Sequence, residues 1–264
     1  MGSIPWPLLS EPNWDLASPV PYGMGEDGQV VTVPLFQSSV LLAGSPGAGK
    51  SAALYLFVLA AALDPSVRLH IIDAKGGVEL GLVEERAERM ATGLTEALQV
   101  IEDALAEVSR RYEVLREQGL RKVQHGDPSM PPLVLVVDEL AEVTGTGSKE
   151  AKQAGEALRR LVALGRAASV SVIAATQKPS SDVVPTGLRD LFAARIALRC
   201  GMRGQAETIA PEVASELTAI PAAEPGTGYL VDESGQWQRC RSWYLDDETV
   251  RQVVARSGRG RPRA

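Results

Sequence analysis

Residues 44–51 read Gly44-Ser-Pro-Gly-Ala-Gly49-Lys50-Ser51, and the reading of this octet decides the fold. It has the spacing G-x-x-x-x-G-K-[ST]. Its context is the one such a loop requires. The apolar run Val40 to Ala43 precedes it as a strand, and the twelve residues Ala52 to Leu63 follow as a buried helix. Glycines at 44, 47 and 49 let the backbone turn tightly and aim successive N–H groups inward. The new helix adds its positive N-terminal end. Lys50 supplies a mobile charge for β and γ phosphates, and the Ser51 hydroxyl can ligate Mg²⁺. Gly44, Ser45, Pro46, Gly47, Ala48, Gly49, Lys50 and Ser51 are therefore the expected nucleotide-binding loop, with ATP and Mg²⁺ as the expected cofactors.

Downstream, the buried strand Leu133 to Val137 ends in Asp138-Glu139. Acids at the C-terminal end of a parallel strand lie where α/β sheets place ligands. Asp138 is expected to join Ser51 in holding Mg²⁺, and Glu139 to orient and deprotonate the attacking water. The alternative is a pair of acids capping the next helix. The following apolar strand ends in Ala174-Ala-Thr-Gln177-Lys-Pro179, which places Gln177 to reach the γ phosphate and report its loss.

Elsewhere the chain alternates between strand and helix patterns. Val67 to Asp73 and Ala193 to Arg199 read as strands. Thr92 to Gln118 repeats apolar residues at steps of three or four and reads as the longest helix, stopped by Gly119. Ala154 to Arg166 and Asp246 to Ala255 read as further helices, and Gly226 to Trp243 as a late β-hairpin. The expected fold is α/β, with a central, mostly parallel sheet flanked by helices. Residues 1–28, rich in Pro and Gly, read as an irregular lead-in; 29–255 as one core; 256–264 as a basic tail without structure. The tail contains Arg259-Gly-Arg-Pro262, either an extended arm for a narrow minor groove or a solvated end. Trp237 and Trp243 alternate with Arg239 and Arg241, which suits a hairpin packing its aromatic face on the core or, alternatively, a shelf for a base.

Composition excludes several classes. Hydrophobic residues are 45% and charged residues 23% of the 264, the balance of a globular chain. The net charge of −6 argues against coating DNA by bulk charge, though not against gripping it with local groups. No apolar run reaches the roughly 18 residues that span a bilayer, and the first residues lack the pattern of a signal peptide. Cys200 and Cys240 cannot build a disulfide framework, and the two histidines offer no zinc spacing. A reducing, cytoplasmic setting is expected.

The order of motifs resembles the FtsK/SpoIIIE-type family of DNA translocases. The matching pieces are GSPGAGKS (44–51), IIDAKGG (71–77), Arg110-Arg-Tyr112, VVDELAEV (136–143), Gly165-Arg-Ala-Ala168, AATQKPSSDVV (174–184) and Ala194-Arg-Ile-Ala197. The IDAKGG variant is similar to small actinobacterial proteins of conjugative plasmid transfer. The resemblance implies a RecA-like P-loop motor domain that hydrolyses ATP. It implies rings, usually hexameric, around double-stranded DNA, with nucleotide held between subunits. It also implies an arginine reaching the adjacent subunit's γ phosphate, with Arg166 as first candidate and Arg195 in reserve; Arg166 ends a helix whose next strand leads to Gln177, so both are expected near one edge of the sheet. No membrane segment precedes the motor and no winged helix follows it. The expectation is therefore an excised motor domain or a minimal soluble member, cytoplasmic or, alternatively, held at the inner face of the membrane through a membrane-anchored partner or a missing N-terminal region. Alternative readings are a type VII secretion-like ATPase acting on protein, and a nucleotide-switched adaptor with little turnover. Asp73 and Lys75 are read either as coupling groups toward a neighbouring subunit or as a turn with a solvated ion pair.

Overall fold

The computed structural model describes residues 5–145 and 147–258. In chain order the elements are β1 (Val20–Gly25), β2 (Val30–Val33), β3 (Val40–Ala43), α1 (Lys50–Leu63), β4 (Arg68–Ile72), β5 (Arg89–Ala91), α2 (Leu94–Gln118), β6 (Leu133–Val137) and α3 (Leu140–Thr144). They continue with α4 (Lys149–Gly165), β7 (Val170–Thr176), α5 (Thr186–Arg189), β8 (Ala194–Leu198), α6 (Arg203–Ile209), α7 (Ala214–Ala219), β9 (Thr227–Asp232), β10 (Trp237–Ser242) and α8 (Asp247–Arg256). One sheet orders the strands β2-β1-β10-β9-β8-β3-β7-β6-β4-β5. The block from β8 to β5 is parallel, and β9, β10, β1 and β2 extend it antiparallel. The expected α/β architecture with a mostly parallel centre is present, and it is that of a RecA-like P-loop NTPase.

Strands β3 and β6 are buried on both faces, as central parallel strands must be. Leu41, Ala43, Leu133, Leu135 and Val137 point into a core shared with α2, α3 and α4. Val40, Leu42, Val134 and Val136 point the other way, into a core shared with α1 and α8. The parallel pairing of β3, β7 and β6 carries their C-terminal ends, and the acids that follow β6, to one edge of the sheet.

Helix α1 has no polar face, so its outer side needs a cover. Part of that cover comes from the N-terminal segment expected to be irregular. Trp6, Leu8 and Leu16 are buried there. The Trp14 indole donates to Ala60 O at 2.8 Å, and Leu16 N donates to the Asp64 carboxylate at 3.0 Å. Residues 20–25 are a strand rather than loop. Pro21 and Gly23 read as turn residues, yet a register shift lies between them, the kind of irregularity that admits proline in a sheet. A Cβ at Gly23 would stand 2.3 Å from Arg241 O, so only glycine lets β1 pair with β10 here. On the other side of the sheet Arg111, fully buried, donates to Ala168 O at 2.8 Å and Pro131 O at 2.7 Å, tying α2 to the entry of β7. The Arg259-Gly-Arg-Pro262 reading lies outside the described residues.

Candidate active site

The phosphate loop follows β3 and opens α1, as its spacing predicts. Gly47 and Gly49 have φ of +75° and +95°, values that side chains other than glycine's rarely allow. Space forbids one as well: a Cβ at Gly49 would meet Gly226 N at 2.5 Å, and one at Gly44 would meet the Leu198 Cβ at 2.8 Å. The loop is anchored on both flanks. Ser45 N donates to Arg199 O at 2.9 Å, and Gly226 N donates to Ala48 O at 2.8 Å. The first turn of α1 leaves amides without intrahelical acceptors, which suits an anion.

Four expected residues converge here from three adjacent strands. Lys50 is buried, and its Nζ donates to the Asp138 backbone O at 3.0 Å. Burial, and then the neighbouring Lys75, lower its pKa, against the pull of Glu139, Asp138 and Glu79. Asp138 Oδ1 accepts from Ala74 N at 2.9 Å. Asp138 Oδ2 is buried and, among the described residues, accepts no hydrogen bond, with the Lys75 ammonium 3.9 Å away. Burial, aided by Asp73, pushes this carboxyl up to about 6. Glu139 Oε1 accepts from the Thr176 hydroxyl at 2.6 Å and from Gln177 N at 3.1 Å, so β7 fixes its orientation. Gln177 lies beside Lys50 and Ser51 on the wall of one cleft of about 520 Å³.

These groups fit a hard divalent cation. Asp138 Oδ2, which accepts no hydrogen bond from the described residues, and the Ser51 hydroxyl are the kind of oxygen ligands Mg²⁺ takes. When bound, Mg²⁺ would neutralise charge on β and γ phosphate oxygens. The protein's own groups would hold the triphosphate through the loop amides and Lys50, and Glu139 would hold and accept the proton of a water.

Two features complete the cleft: Glu79, which no motif singles out, and a far wall that includes Arg241 and Trp243 of the hairpin read above as an alternative shelf for a base. Glu79 accepts a hydrogen bond from Ser51, and its backbone O accepts from the Tyr55 hydroxyl at 2.8 Å. Nothing in the 28-position separation from Ser51 announces that contact. It arises because Asp73 folds residues 73–80 back, accepting from Lys75 N at 3.2 Å and Leu80 N at 2.8 Å. Asp73 is thus a turn former, and Lys75 faces both acids, 3.7 Å from Glu139. The second feature is the far wall of the cleft: Pro225, Gly226, Arg241, Ser242, Trp243 and Tyr244. Trp237 lies elsewhere, edge-on to Tyr229 with ring centres 5.6 Å apart.

Arg166 is not beside Gln177, against the expectation that both share one edge of the sheet. Arg166 precedes β7 and Gln177 follows it, so the strand's seven residues separate them by roughly 20 Å at ~3.3 Å per residue. Arg166 is exposed and pairs with Glu233 at 3.0 Å, on a separate cleft of about 620 Å³. The reserve candidate Arg195 is buried on β8, with its guanidinium engaged by Glu212 at 2.6 Å and Ile209 O at 2.9 Å.

The FtsK/SpoIIIE family model matches residues 7–132. A DNA translocase FtsK of Staphylococcus aureus is 28% identical, covering 88% of this chain and 32% of the relative. The chain thus spans about a third of the length of such relatives. Among solved structures, the pCW3 conjugation coupling protein TcpA, determined with ATPγS, superposes with a TM-score of 0.76 at 21% identity, covering 88% of this chain and 69% of that one. The cytoplasmic domain of the Thermomonospora curvata type VII secretion ATPase EccC gives 0.75 at 26% identity, covering 98% of this chain and 33% of that one. In motif order, in the family model that matches residues 7–132 and in its fold, the chain resembles the FtsK/SpoIIIE family.

Proposed function

We propose that this domain, its N-terminal strand β1 included, is an ATP-hydrolysing motor that moves double-stranded DNA, with conjugative or other plasmid and chromosome transfer as its setting. The observation that carries this reading is the convergence of Lys50, Ser51, Asp138, Glu139 and Gln177 at the C-terminal ends of β3, β6 and β7. A phosphate cradle alone would serve a switch. An oriented acid beside it, held by the next strand, is what hydrolysis needs. The likeness to FtsK supports duplex DNA as the track.

In this reading the chain works as a ring of copies on DNA. Arg166, on the opposite end of β7 from its own phosphate loop, would then serve the site of a neighbouring copy. A planar guanidinium supplied from outside would offset charge building on the phosphoryl oxygens, an effect worth about 10³ to 10⁵ in rate.

The second reading, a motor for protein, is favoured by the 26% identity with EccC over nearly the whole chain. Displacement of a third strand from a duplex–triplex substrate separates the two. The expected outcome is ATP-dependent displacement that stops with a non-hydrolysable analogue. Turnover stimulated by polypeptide, with no displacement from any duplex, would favour the protein track. In the same assay Arg166→Ala protein should be inactive alone and partly rescued by Lys50→Ala protein, since mixed interfaces join an intact site to an intact arginine.

A further inference from the structure

The cleft beside the phosphate loop has two walls of different chemistry. One is the loop itself with Lys50, Ser51 and Gln177, suited to phosphate oxygens. The other comes from the end of the sheet: Pro225 and Gly226 before β9, then Arg241 to Tyr244 where β10 leaves the sheet. Nothing in the phosphate chemistry described above uses this second wall.

It is fixed to the first within hydrogen-bond distance. Gly226 N donates to Ala48 O at 2.8 Å, and Ser242 N donates to Gly226 O at 3.0 Å. Trp243 is buried beneath, its backbone N donating to Tyr22 O at 3.2 Å. On this rigid base Tyr244 stands 77% exposed, a large aromatic ring with water on its faces at the mouth of a phosphate site. Arg241 is exposed on the same wall and, among the described residues, forms no ion pair with a carboxylate; Arg239, two positions earlier, is taken by Glu26 at 2.6 Å. A nucleotide carries a polyanion at one end and a flat aromatic base at the other. The cleft offers a cradle for the first and a π face with a free cation for the second.

We infer that Tyr244 is the shelf on which the base of the bound nucleotide stacks, with Arg241 facing its sugar–phosphate chain. The inference rests on the reading of residues 44–51 as a nucleotide loop and adds the other half of that site. Stacking a base on an aromatic side chain is worth roughly a 5- to 150-fold change in affinity on substitution by alanine. Because Tyr244 is exposed, removing its ring opens no cavity in the core.

The test is calorimetric titration of the protein with Mg·ATP and, separately, with Mg·tripolyphosphate, which has the phosphates but no base. Tyr244→Ala should weaken ATP roughly 5- to 150-fold, leave tripolyphosphate unchanged, and erase the wild-type preference for ATP; Tyr244→Phe should keep that preference. Wild-type affinity for ATP in Tyr244→Ala, or an equal loss for both ligands, would overturn the shelf. A wild-type protein that holds both ligands equally would overturn the shelf and leave the phosphate loop standing. Binding of neither ligand would remove the loop reading and the shelf with it.

Discussion

Replacing Glu139 by glutamine should leave Mg·ATP bound and cut steady-state hydrolysis by about 10² to 10⁴, the usual worth of a positioned general base. The geometry makes this a clean substitution. Glu139 accepts from the Thr176 hydroxyl at 2.6 Å and from Gln177 N at 3.1 Å. A glutamine carbonyl can accept both bonds, so orientation survives while the capacity to take a proton from water is lost. The Lys75 ammonium lies 3.7 Å from this carboxylate, so its charge has a nearby cation. Nucleotide titration and phosphate release, measured on the same preparation, give the two halves of the expectation. Near-normal turnover would move the base elsewhere in the cleft.

Lys50→Ala should instead remove binding itself. The Lys50 ammonium is buried under the loop and donates to the Asp138 backbone O at 3.0 Å. Burial lowers its pKa, which means that an anion placed against it gains more than one at an exposed lysine would. Truncating one partner of such a charge pair costs about 2–5 kcal/mol, so ATP affinity should fall roughly 30- to 5,000-fold and hydrolysis with it. Titration with a fluorescent ATP analogue reads this directly. Lys50→Met, which keeps the volume of the stem, separates loss of charge from loss of packing. Unchanged affinity in both variants would contradict the phosphate-loop reading.

The contrast between what sequence shows and hides here has a physical pattern. The phosphate loop was legible because it is local: a strand, three glycines and a helix start within a dozen positions enforce the geometry by themselves. Asp138, Glu139 and Gln177 were legible because parallel strands deliver their C-terminal ends to one edge, whatever else the fold does. Strand β1 was not, since Pro21, Gly23 and Gly25 imitate a turn and its pairing with β10 is long-range. The placement of Arg166 failed for a related reason. A helix end and a strand end nearby in sequence lie on opposite edges once the strand between them is extended. Glu79 and Tyr244 reach the cleft from a folded-back loop and from the last hairpin, and neither the period nor the spacing of the chain encodes such approaches. Of the two tryptophans that alternate with arginines, Trp243 lines the cleft but is buried, and the exposed ring beside the loop is the next residue, Tyr244.

The central claim is that this cleft turns over ATP in response to duplex DNA. Phosphate release measured with and without linear double-stranded DNA, at low and moderate salt, tests it most directly. The account predicts turnover that rises with duplex DNA, is indifferent to its sequence, and loses its DNA dependence as salt displaces contacts to the phosphate backbone. Turnover that is the same with and without duplex at every salt concentration would contradict it.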